Sequence, residues 1–130
     1  MTSTLTGLNL LAVAAGGVLG CLLRWLAGLW LNARWSGFPL GTLFVNCVGG
    51  LLIGFALFWF ERAPNETLRL LVVTGALGGF TTFSSYSVES LIMLQRGELS
   101  LALMHTLVHV LGSLAAAAIG FRIAQVLLLR

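Results

Sequence analysis

Residues 75–89 read GALGGFTTFSSYSVE, and this stretch decides how the rest of the chain is read. It lies inside an apolar segment long enough to span a bilayer. Yet three glycines, two threonines and three serines crowd around Phe80, Phe83 and Tyr86. Backbone polar groups left unpaired in hydrocarbon cost several kcal/mol each, so irregular backbone at membrane depth persists only against protein or a water-filled cavity. Consecutive glycines favour a kink or local unwinding. The stretch therefore predicts a helix broken near residues 75–82, at a binding site or pore rather than in an anchor.

Composition sets the class. Of 130 residues 58% are hydrophobic and 8% charged, and the mean hydropathy is +1.02, which excludes an ordinary soluble domain. The length permits one four-helix unit, 1–130, and no second domain. So small a bundle encloses little space, so a substrate path calls for a second copy. The net charge of +3 comes from arginines scattered singly between apolar runs. That pattern fits juxtamembrane placement in a lipid bilayer and not nucleic acid. Cys21 and Cys47 stand among apolar neighbours with no metal-ligand spacing and read as reduced, buried thiols. No basic run precedes the first apolar segment, so that segment is expected to be a span and not a cleaved leader.

Four apolar segments have the length a bilayer core demands, about 20 residues each. They run from about 5 to 31, 38 to 60, 68 to 94 and 99 to 129. Short connections make successive helices antiparallel. Pro39 suits the first turn of the second helix, Asn65 the N-cap of the third, and Arg96-Gly97 its C-terminal stop. Small or polar residues recur every fourth position: Gly16, Gly20, Arg24 and Gly28; Asn46, Gly50 and Gly54; His105, His109, Ser113 and Ala117. Residues spaced so share a face, and small ones let membrane helices approach closely. Each helix should therefore have a side that faces protein. Loop arginines barely favour one orientation: Arg62, Arg69, Arg122 and Arg130 lie toward one side, Arg34 and Arg96 toward the other. So weak a bias is compatible with insertion both ways.

Several residues can carry chemistry. Arg24 either snorkels to an interface or sits between helices at a pore mouth. Asn46 offers two N–H donors, for a structural interhelical bond or for a substrate. Thr81, Thr82, Ser84, Ser85 and Ser87 add hydroxyls around the break, any of which can also bond back to its own helix. Phe83 and Tyr86, three apart, share a side; ring edges carry partial positive charge and can stabilise a small anion without trapping it. Glu89 is the one acid within a span, either a proton carrier or a hydrogen-bond partner near a vestibule. His105 and His109 have metal-pair spacing, but no cysteine or carboxylate completes a zinc site, so they read as donors on a polar stripe. No nucleophile–base constellation or phosphate-cradling loop appears, which points away from an enzyme.

With these residues in place, the chain resembles a known family. GGVLGCLLRW at 16–25, GTLFVN at 41–46 and GALGGFTTFSSYSVE at 75–89 are similar to the three signatures of the Fluc (CrcB) fluoride channels. The resemblance spans all four helices in order. It implies an all-α membrane protein with its third helix broken, forming an antiparallel, dual-topology homodimer with two pores in a prokaryotic cytoplasmic membrane. It implies passive export of fluoride from the cytoplasm. Phe83 and Tyr86 match the pore aromatics, Asn46 the pore asparagine and Arg24 the first-helix arginine. Thr82 and Ser84 match the hydroxyls beside the aromatics, and Glu89 the glutamate that follows. His105, His109 and Ser113 fall on the fourth-helix polar track. Gly78 and Thr81 match the positions whose backbone carbonyls hold a structural sodium ion (Na+), and no organic cofactor is implied. Two departures stand out: Tyr86 replaces the usual phenylalanine, and His105 and His109 stand where hydroxyls are commoner. Two rivals remain, a small proton-coupled multidrug exporter and a non-transporting membrane subunit. The exporter normally needs a buried glutamate in its first helix, where this chain has Arg24.

Overall fold

The computed structural model describes residues 4–33 and 37–129. Arg34 and Arg130, which entered the orientation argument, lie outside the described residues. Among the described residues four helices are long and apolar enough to cross a membrane: α1 Gly7–Asn32, α2 Leu40–Arg62, α3 Glu66–Gln95 and α4 Leu99–Leu128.

Their ends follow from side-chain chemistry. The Thr6 hydroxyl accepts from the Asn9 N–H at 3.2 Å and starts α1. Asn65 does the same for α3, accepting from the Leu68 N–H at 2.9 Å. Each satisfies a donor that a helix start leaves unpaired. Pro39 precedes α2 as its cap, with ψ at 77°, instead of entering the first turn. Gly97 takes φ +74° after α3. Its N–H bonds the Leu94 carbonyl at 3.0 Å and that of Glu98 bonds the Met93 carbonyl at 3.0 Å. This is a complete Schellman stop, which glycine alone enters without steric cost.

Helix α3 is not one rod. It starts α-helical, widens to π-helical turns over Leu70–Leu77, tightens again at Gly78–Phe80, and leaves the helix at Thr81 and Thr82. Both threonines are extended, at φ −81°, ψ 159° and φ −151°, ψ 115°. The chain then resumes as Phe83–Gln95. Glycines 75, 78 and 79 do not make this break, contrary to what their flexibility predicts. They remain helical, and Gly75 and Gly79 serve close packing: a methyl on Gly79 would come within 2.7 Å of the Gly17 carbonyl oxygen.

The small-residue stripes join helices in two pairs. α1 lies along the first half of α3, and α2 lies along α4. In the second pair Asn46 meets His109, Gly50 meets Ser113 and Gly54 meets Ala117. Both partners advance four residues per step, so α2 and α4 run in the same direction. A side chain at Gly54 would overlap the Ala117 carbonyl, one at Gly20 that of Ala76, and one at Gly120 that of Leu51. Backbone-to-backbone contact of this kind is how apolar helices associate where lipid competes for every methyl group. The remaining faces of α1 and α4 expose leucines and valines along their length.

Candidate functional site at the break in helix α3

Opening a helix strands backbone groups, and here Asn46 of α2 recovers them. Its Oδ1 accepts from the Thr82 N–H at 2.8 Å, and its Nδ2 donates to the Thr82 carbonyl at 3.0 Å. One amide side chain thus imitates a strand partner for one extended residue. Its second N–H meets His109 Nδ1 at 3.2 Å. Of the two sequence readings of Asn46, the geometry favours the interhelical one, because the whole amide is committed. Thr82 caps the second half of α3: its hydroxyl accepts from the Ser85 N–H at 3.1 Å and lies 3.2 Å from Ser84 Oγ.

The break also separates carbonyls from their usual donors, those of Gly78 and Thr81 among them. The N–H that would have closed on Gly78, four residues on, is that of Thr82, and it goes to Asn46. The N–H four beyond Thr81 is that of Ser85, and it goes to the Thr82 hydroxyl. The carbonyls of Gly78 and Thr81 therefore lack those donors, and both residues line a cavity of about 390 Å³. Oxygens of this type suit a hard monovalent cation.

Phe83, Asn46, Thr82, Tyr86, His109 and Ser113 line the same cavity. Phe83 and Tyr86 have ring centroids 5.3 Å apart, but their surroundings differ. Phe83 is 77% exposed on the surface of the single chain. Tyr86 lies inward, stacked on His105 at 5.2 Å and tilted against His109 at 5.0 Å. Its hydroxyl donates to Thr106 Oγ1 at 3.1 Å, which pins the ring. Ser87 bonds back to the Phe83 carbonyl and takes no part.

A second cavity, of about 490 Å³, shares Thr82 with the first and is lined by Arg24, Thr42, Ser85 and Glu89. Arg24 is half-buried there, with Nη2 3.6 Å from Cys21 Sγ. Glu89 accepts from the Thr42 hydroxyl with one oxygen and lies 3.3 Å from His105 Nε2 with the other. His105 is fully buried, with Nδ1 3.0 Å from Ser90 Oγ. Glu89 is thus a hydrogen-bond partner on the wall of this second cavity. It also corrects one step of the sequence argument, in which nothing completed the histidine pair. Glu89 brings a carboxylate oxygen within 4.8 Å of His105 and His109, from a helix the one-dimensional spacing does not connect. Thr42, Ser90 and Thr106 likewise escaped sequence reasoning, since a lone hydroxyl in an apolar run carries no signal of its partner.

Comparison with known proteins identifies the kin. Residues 11–121 match the family described as "CrcB-like protein, Camphor Resistance (CrcB)". A protein of Bordetella petrii named "Fluoride-specific ion channel FluC" is 50% identical over 129 residues, covering 98% of this chain and 99% of the relative. Like-named proteins of Aromatoleum aromaticum, 50% identical over 85% of this chain and 86% of the relative, and Erwinia tasmaniensis, 46% over 91% and 96%, are also similar. With near-full-length identity at this level and a matching family model, this chain belongs to the CrcB family of fluoride channels.

Proposed function

We propose that this protein is a passive, fluoride-selective channel that lets fluoride leave the cytoplasm down its electrochemical gradient, with no chemical step. The observation that carries the reading is the broken third helix, which sets Phe83 beside a cluster of donors on a cavity wall. The names of its relatives point the same way. Fluoride would shed water onto the Ser84, Thr82 and Ser113 hydroxyls and the His109 ring while passing the edges of Phe83 and Tyr86. Neutral donors and ring edges replace hydration without the full charge that would hold the ion. Asn46 and His105 form the wall behind this track, fixing Thr82 and Glu89. Arg24 and Glu89 stand at the vestibule.

The working unit in this proposal is an antiparallel homodimer with two pores, in a prokaryotic cytoplasmic membrane. The exposed Phe83 and Gly78 support it, because a site lining needs covering and a single chain leaves these residues open. Carbonyls freed at the break, those of Gly78 and Thr81 among them, would suit a structural sodium ion shared between copies. Such an ion would supply positive charge near the anion path. In liposomes loaded with fluoride, the purified protein should release fluoride and not chloride, and Phe83→Ile should abolish release while the protein still purifies intact. Undiminished release through Phe83→Ile would remove the aromatics from the mechanism. Equal release of chloride would sink the assignment.

A further inference from the structure

His109 carries a buried ring nitrogen that nothing among the described residues satisfies. The residue is 5% exposed, and its Nε2 has no hydrogen-bond partner among them. The other nitrogen explains what Nε2 must be. Asn46 cannot be flipped, because its Oδ1 faces the Thr82 N–H and its Nδ2 faces the Thr82 carbonyl. Reversing the amide would set donor against donor and acceptor against acceptor. The group facing His109 Nδ1 is therefore an N–H, and Nδ1 must accept. A neutral imidazole has one donor and one acceptor nitrogen, so its proton sits on Nε2. A doubly protonated ring would turn an Nδ1–H onto the Asn46 N–H. The titratable groups around the ring are His105 on its own helix and Tyr86 and Glu89 from α3, whereas α2 presents Asn46.

We propose that Asn46 locks His109 as its Nε2–H tautomer, making the ring a neutral donor for dehydrated fluoride beside Phe83 and Tyr86. This deepens the channel reading and rests on it for the identity of the ion. A buried N–H without an acceptor is costly, and a small anion stripped of water is the acceptor that a conduction path delivers. A neutral donor binds it without holding it as an imidazolium would. The same lock makes His109 a poor metal ligand through Nε2, since that atom bears a proton and not a free lone pair. Asn46 is in this sense a positioning residue, and the ring that it orients makes the contact.

The test is nitrogen NMR of the full-length protein carrying ¹⁵N-histidine in bicelles, with His105→Gln used to assign the two rings. The expected result is an unprotonated Nδ1 and a protonated Nε2 in fluoride-free buffer. The Nε2 signal should shift on adding fluoride and stay still on adding chloride. Asn46→Asp, which sets an acceptor against Nδ1, should move the proton to Nδ1. In liposomes, His109→Gln should keep a donor and most of the flux, while His109→Met should lose about tenfold or more. A protonated Nδ1 in the wild-type protein, or an Nε2 indifferent to fluoride, overturns the proposal even in a protein that conducts. A locked tautomer in a protein that releases no fluoride instead sinks the channel reading and leaves the lock standing.

Discussion

The two halves of α3 are held in opposite ways. The first half, up to Phe80, lies against α1 so closely that Gly16, Gly20, Gly75 and Gly79 leave no room for a Cβ. Its closest contacts are backbone to backbone, with side-chain hydrogen bonds to α1 at its first turn. The second half, Phe83–Gln95, is held by side chains: Asn46 on Thr82, Tyr86 on Thr106, Glu89 on Thr42 and His105, and Ser90 on His105. Close packing tolerates no substitution and transmits strain. A set of hydrogen bonds tolerates loss one bond at a time and can exchange its partners for an ion. On the proposed reading the packed half is scaffold, and the bonded half is where a passing solute can be met.

That contrast can be broken at several points. The largest effect belongs to the packed seams. Gly20→Val and Gly54→Val drive a side chain into a carbonyl of the facing helix, and overpacking of this kind costs about 1–3 kcal/mol or more. Neither variant should yield a monodisperse peak on size exclusion in detergent, and normal recovery of both would refute the seam. Next comes Asn46→Ala, which leaves the Thr82 N–H and carbonyl without that partner, at about 1–3 kcal/mol. Its thermal unfolding midpoint should drop clearly, and hydrogen exchange should rise at residues 81–83 while α1 stays protected. Uniform exchange along α3 would mean that the two halves are not held independently.

Tyr86→Phe removes one hydroxyl contact, to Thr106, while keeping the stacked ring. It should cost about 1 kcal/mol of stability and leave fluoride release within a few-fold of wild type. A complete loss of flux would give the hydroxyl a direct part in conduction. The smallest effect is expected at Ser87, whose hydroxyl bonds back to the Phe83 carbonyl of its own helix. Ser87→Ala should stay within about 0.5 kcal/mol and conduct normally, and a large defect there would extend the functional surface beyond the line of Phe83 and Tyr86.

The sequence went furthest where its signal was local or periodic. Long apolar runs announced four helices, Asn65 and Gly97 announced the ends of α3, and four-residue stripes announced which faces meet protein. The crowd of hydroxyls at 81–87 announced that α3 would not be a plain rod. It misassigned the cause, because a glycine pair reads equally as a hinge or as a place where two backbones touch. Only the packing of Gly79 against Gly17 selects the second. What tertiary structure alone decided is who meets whom across helices. That Asn46 closes on Thr82, that its spare N–H dictates the proton on His109, and that Glu89 joins the two histidines all depend on how α2, α3 and α4 are set side by side. Spacing along one helix states which residues share a face. It is silent about the face opposite, and hydrogen bonds are made between faces.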